Sequence, residues 1–133
     1  MTIRWIATVA LVPTLVVLGA APAMASSGAP SGGRILGDWT RTTNGVTQTI
    51  TFAKAGKVNG DAGCNRFLGD YGVKGSRIDI GPLGSTLMFC EGVMDAEQEY
   101  LKALEKATAF SVTGTRLTLF GPRGATLLTF RSS

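Results

Sequence analysis

The chain contains no histidine. That removes Ser–His and Cys–His relays, imidazole general bases and imidazole metal ligands. Cysteine is nearly absent too: Cys64 and Cys90 are the only two, too few for a structural zinc site without histidine partners. No P-loop and no dinucleotide-binding glycine fingerprint occurs. Basic residues do not cluster: Arg41, Lys54, Lys57, Arg66, Lys74 and Arg77 stand singly. Nucleic-acid binding needs a basic stripe, so the net charge of +4 reads as a solvated, mildly basic surface. These absences exclude most familiar enzyme chemistry and leave no expected cofactor or metal.

What is present begins with an export pattern. Arg4 is the only charge ahead of 16 apolar residues from Trp5 to Ala20, and Ala23-Met24-Ala25 forms a small-x-small cleavage site before Ser26. This layout reads as a secretory signal peptide over 1–25. A membrane anchor fits less well, because Pro13 interrupts a stretch shorter than the roughly 20 residues a span requires. Cleavage leaves 108 residues with a net charge of +3, enough for one small domain. No cysteine lies at the cleavage point, so a lipidated N-terminus is not expected. The segment 26–34, opening "SSGAPSGG", reads as a flexible leader, and 35–133 as the domain.

Within the domain, short runs of period-2 alternation are separated by glycine. "GDWTRTT" is rich in β-formers, and "TQTITF" alternates Ile50 and Phe52 with Thr49 and Thr51. "KVNGDAG", "FLGDYG", "RIDIG", "AFSVTG", "RLTLFG" and "ATLLTFR" continue the pattern. One helix is expected over Met94–Ala107, with Asp95 as N-cap and Gln98 completing a capping box. Its apolar stripe is Ala96, Tyr100, Ala103, Leu104 and Ala107; Glu97, Glu99, Lys102, Glu105 and Lys106 fall mostly on the solvent side. "RIDIGPLGSTLMF" echoes "RLTLFGPRGATLLTF", which we read as one turn chemistry used twice more than as a duplication. Seven to eight short strands and one packed helix define an α+β fold, a curved, mainly antiparallel sheet or cracked β-barrel.

In an oxidising compartment an even cysteine pair bridges, and Cys64–Cys90 closes a 26-residue loop worth about 3.5 kcal/mol. Two other readings stay open: a nucleophilic thiol, with Arg66 as the only nearby cation, and a redox pair. Around Cys64, "DAGCNRFLGDY" reads as a turn followed by a strand. Asn65 is expected to bond its own neighbouring backbone, Phe67 and Tyr71 to enter the core, and Arg66 to pair with Asp61 or Asp70. The functional alternative is a partner-binding patch of Asn65, Arg66, Asp70 and Tyr71. A carboxylate enzyme built on Asp61 and Asp70 is weakly motivated, since paired acids are common in turns.

At this point the sequence resembles the META domain family, the HslJ-like heat-shock proteins. The resemblance rests on "GDWT" (37–40), "ITF" (50–52), "GDAGCNRFLGDY" (60–71), "STLMFC" (85–90), the helix "EQEYLKAL" and the terminal "LTLFGPRGATLLTF". Leu87 departs from it, standing where the family often has arginine, and the lipoprotein cysteine of some members is missing. The resemblance implies a curved antiparallel sheet with one helix and an envelope or secreted location. It also implies an association with heat shock, novobiocin resistance or virulence, and it carries no catalytic residues. Three function classes follow: an exported, monomeric, non-enzymatic protein of the periplasm or exterior acting through envelope-protein contacts; a small barrel holding an apolar ligand or lipid; and a secreted peptidase inhibitor using the leader.

Overall fold

Side-chain alternation decides the architecture. In Val46–Ala53 every second residue, Val46, Gln48, Ile50 and Phe52, is buried. Strands with one apolar face must hide it, and eight of them do so here by closing on themselves. The computed structural model describes residues 34–133; the expected signal peptide and the leader up to residue 33 lie outside them. Arg34 is described, and its Nη2 donates to the Val112 carbonyl at 2.7 Å.

The strands are β1 (Gly37–Thr43), β2 (Val46–Ala53), β3 (Lys57–Asp61), β4 (Arg66–Lys74), β5 (Arg77–Ser85), β6 (Ala109–Thr113), β7 (Arg116–Phe120) and β8 (Thr126–Ser132). They form one closed antiparallel barrel in sequence order, with β8 returning to β1. The helix α1 (Met94–Lys106) lies between β5 and β6. The expected α+β cracked barrel with one helix is what forms. Among the described residues no helix is long and apolar enough to cross a membrane.

Turn chemistry sets the register. Asn44 and Gly45 both have positive φ, 49° and 79°, and join β1 to β2 as the two-residue hairpin that matches strand twist. Pro122–Gly124 forms the tight turn between β7 and β8, as its sequence predicts. The echoing Gly81-Pro82 does something different: it lies inside β5, where the β4–β5 register shifts between Gly69 and Tyr71. A shared Gly-Pro pair therefore does not mean a shared turn, because the flanking strand lengths decide which backbone it meets.

The barrel interior is filled by its own side chains. Trp39, Ile50, Phe52, Phe67, Phe110, Leu117, Leu119 and Phe130 point inward from the strands, and Tyr100 and Leu104 from the helix. Edge-to-face ring contacts run from Phe67 to Tyr100 at 5.9 Å, and from Phe52 to Tyr71 at 4.9 Å. The Trp39 indole N–H donates to the Ile35 carbonyl at 2.8 Å, so its polar edge is satisfied inside.

Candidate functional site

The helix start departs from expectation. Val93 occupies the cap position without a side-chain bond, and Asp95 sits inside the first turn. Glu97, expected on the solvent side, is 3 % exposed. Helical geometry explains this once the buried positions are aligned: Glu97, Tyr100, Leu104 and Ala107 recur at three, four and three residues, so Glu97 belongs to the inward stripe.

Glu97 is buried because the β3–β4 connection brings donors to it. Its Oε1 accepts the backbone N–H of Cys64 at 2.9 Å and of Asn65 at 2.7 Å. Its Oε2 accepts the Asn65 side-chain amide at 2.6 Å. Three donors on one carboxylate offset the cost of taking it out of water.

Asn65 carries the chain of bonds onward. Its Oδ1 accepts from the Thr86 hydroxyl at 2.7 Å and from the Met88 N–H at 2.6 Å. Its Nδ2 also donates to the Met88 carbonyl at 3.0 Å. The expected local turn bond of Asn65 is thus replaced by bonds to residues 21 to 32 positions away. Next to it Cys64 and Cys90 form a disulfide, with Cα atoms 5.8 Å apart. The segment 86–90 is consequently tied at its middle by Asn65 and at its end by the disulfide.

What that segment presents outward is apolar. Leu87 is 93 % exposed, Phe89 78 % and Met88 56 %. Large apolar side chains exposed in sequence on a held backbone are unusual on a soluble surface.

A second polar cluster lies beneath. Gln48 is fully buried and donates to the carbonyls of Ala62 at 3.0 Å and Ala96 at 3.1 Å. Its carbonyl oxygen accepts from Arg41, whose guanidinium lies 5.8 Å from the Tyr100 ring centre. The Tyr100 hydroxyl donates to the Thr49 carbonyl at 2.9 Å. Burial pushes the Tyr100 pKa well above the usual phenol range, against a smaller lowering by Arg41 and with a further rise from Asp61. Burial also raises the Tyr71 pKa.

The four residues of the anticipated patch separate. Arg66 and Asp70 are exposed on the outer face of β4, whereas Asn65 is 2 % exposed and Tyr71 turns inward to bond the Ala53 carbonyl at 2.9 Å. Asp70 pairs with Lys57 at 2.8 Å and Asp61 accepts from the Gly63 N–H, so neither makes the expected ion pair with Arg66. Asp61 and Asp70 stand at opposite ends of β3 in register, about 13 Å apart by strand rise, too far to share a proton or a substrate atom. Both cysteines are committed to the disulfide, and no buried side-chain polar atom among the described residues lacks a partner. The cluster fastens one loop to the barrel.

An eight-stranded meander barrel with one helix and a disulfide-anchored apolar loop defines the class of protein. The META domain sequence profile matches residues 36–133, and the chain belongs to the META domain family. The fold is similar to that of a protein from Burkholderia xenovorans solved by NMR (TM-score 0.63, 23 % identity, covering 88 % of this chain and 99 % of that one). It is also similar to a second NMR structure (TM-score 0.59, 16 % identity, 79 % and 96 %). A DUF4847 family protein from Bacteroides vulgatus ATCC 8482 shares it at TM-score 0.52 and 20 % identity, over 65 % of this chain and 59 % of that one. At these identities the likeness is one of fold alone. Comparison with curated proteins returned no match.

Proposed function

We propose that this META domain protein is an exported, non-enzymatic envelope protein that acts by contact, with the 86–90 loop as its docking element. The observation that carries this reading is the combination at that loop: Leu87 and Phe89 stand out in solvent while Met88 between them is fixed through both its N–H and its carbonyl. A flexible apolar loop loses conformational entropy when a partner orders it, and one already held loses much less. The filled barrel interior favours contact at the surface over enclosure of an apolar ligand. The peptidase-inhibitor alternative rests on the leader, which lies outside the described residues. A role in stress or novobiocin-type tolerance would follow from the partner that is docked.

The test is site-specific photo-cross-linking in the exporting cell, with the reactive side chain at Leu87, at Phe89 and, as control, at the exposed Lys74 that ends β4. A discrete adduct from 87 and from 89, absent from 74, is the expected result, and the adduct from 87 should be lost when Phe89→Asp is added. Equal adducts from all three positions would refute the docking role. Intact mass of the purified protein reports separately whether cleavage follows Ala25.

A further inference from the structure

The barrel closes through two joints that are not hairpins, and they are finished differently. At β5–β6 the ladder is short: Arg77 opposes Ala109, flanked by bonds from Ile78 N–H to Thr108 O and from Phe110 N–H to Ser76 O. The β5 edge above it lies against α1, where Glu105 Oε2 accepts the Leu83 N–H at 2.9 Å. That edge is covered.

The β1–β8 joint is covered by the helix only in part. Trp39 opposes Ser132, Thr40 opposes Arg131, and Ser133 N–H reaches Asp38 O. Beyond Thr40 the two strands part. Arg41–Thr43 remain paired to β2 and Thr126–Phe130 to β7, but not to each other. A cleft of about 610 Å³ opens between them, walled by Thr40 and Thr42 on one side and by Thr129 and Arg131 on the other. Two strand edges therefore flank a slot that α1 borders at Tyr100 and Ala103 and that is open along Thr40, Thr42, Thr129 and Arg131, an arrangement that sheet proteins otherwise cover or charge.

The charge at this slot has one sign. Arg131 opposes Arg116 in register across β7–β8, and both are exposed. Like charges directly opposite on neighbouring strands are unfavourable. Neither guanidinium forms an ion pair among the described residues, where the one salt bridge is Lys57–Asp70. Arg41 adds a third guanidinium at the inner wall, and no acidic side chain lines the cleft. On the helix side it adjoins a smaller depression bordered by Tyr100, Leu127 and the carboxylate of Glu99.

We propose that this open joint binds an extended acidic polypeptide segment of a partner protein, which adds its backbone to the β8 edge and sets carboxylates against Arg116 and Arg131. A peptide fits better than a small anion, because strand edges offer a repeating row of donors and acceptors that only another backbone matches. The free stretch Thr126–Phe130 is five residues, about 17 Å, the length of an ordinary short strand. Glu99 fixes polarity: the acidic residues belong at the Arg131 end and not at the helix end. This site is separate from the 86–90 loop and stands or falls without it.

The experiment titrates the isotope-labelled, oxidised protein with capped peptides of about six residues, alternating Val with Glu and Thr with Asp. A second set has the amides on one edge N-methylated. The expected result is saturable binding with backbone shifts confined to 41–43 and 126–131, lost on N-methylation and weakened by salt. The Arg116→Glu/Arg131→Glu variant should bind the acidic peptides at least about tenfold more weakly and accept the Val/Lys counterpart instead. Its denaturation midpoint, matched to the parent protein, shows that the barrel is intact. Three outcomes overturn the proposal: no saturation at millimolar peptide, equal binding of the N-methylated set, or shifts centred elsewhere on the barrel. Equal binding of the methylated set would show attraction to charge without strand addition.

Discussion

Replacing Glu97 tests whether the buried network holds the loop or merely accompanies it. The carboxylate is 3 % exposed and is the acceptor for three donors, the Cys64 N–H, the Asn65 N–H and the Asn65 Nδ2 group. In Glu97→Ala both backbone N–H groups lose their acceptor, and the Asn65 Nδ2 group keeps only its bond to the Met88 carbonyl. Each buried donor left without one costs about 1–3 kcal/mol, and water entering the vacated space returns part of it. A net loss of about 4 kcal/mol follows, a large share of the roughly 5–15 kcal/mol that such a domain has in total.

Glu97→Gln separates charge from shape. The Gln oxygen can still accept both backbone N–H groups, but its NH2 then faces the Asn65 Nδ2, donor against donor. Asn65 cannot rotate to cure this, because its Oδ1 already accepts from Thr86 and from Met88 N–H. The expected loss is about 2 kcal/mol, intermediate between parent and Glu97→Ala. Guanidinium denaturation of the oxidised variants measures both, with the slope held constant. Hydrogen exchange at the Cys64, Asn65 and Met88 amides should accelerate in both. A Glu97→Ala loss below about 1 kcal/mol would refute the reasoning, since water would then be serving the donors as well as the carboxylate does.

Three further outcomes follow from the same structure. Replacing Cys64 and Cys90 together by Ser should cost about 3.5 kcal/mol in the same denaturation assay, from the freed 26-residue loop, while leaving the barrel folded. Gly60→Ala should cost about 3 kcal/mol in thermal unfolding, because the new Cβ presses on the Thr49 carbonyl and comes within 2.8 Å of Phe67 Cζ and 2.9 Å of Ile50 Cα. Both tyrosines have folded pKa values above the unfolded value of 10.0, so the native state holds its phenol protons longer than the unfolded chain does. Stability should therefore be fully present below pH 10 and fall as pH rises beyond it. Absorbance titration should show Tyr71 ionising first and Tyr100 only as the protein unfolds.

The strands were legible because alternation is local: Ile50 and Phe52 against Thr49 and Thr51 states which face is inward without reference to the rest of the chain. Extending the same parity places Gln48 inside, and Trp39 does the same for Arg41 opposite it on β1, yet neither polar residue hints at its distant partners, which are Ala62 and Ala96 for Gln48 and Tyr100 for Arg41. The disulfide was legible from the expected export and an even cysteine count. Glu97 was not, because sorting a helix by polarity assigns acids to solvent. The available signal was its place three residues before Tyr100 and seven before Leu104, which overrides polarity when donors wait on the other side. Asn65 was read as a turn residue because its short-range options are the only ones a sequence displays. The opening between β1 and β8 had no local trace at all, since it depends on how two ends of the chain meet.

The two anchors of the 86–90 loop are not interchangeable, and their difference separates folding from recognition. A disulfide at Cys90 fixes the end of the segment but would leave three preceding residues free to swing. Asn65 supplies what the disulfide lacks by holding both the N–H and the carbonyl of Met88, the central residue. With the backbone fixed there, Leu87 and Phe89 flank the anchor on either side and contribute almost nothing to the core, being 93 % and 78 % exposed. Substitutions at those two positions should then leave stability within about 0.5 kcal/mol of the parent. On the proposed docking role, substitutions at Leu87 and Phe89 should alter contact without loosening the loop, whereas those at Asn65, Glu97 or the cysteines should loosen the loop itself.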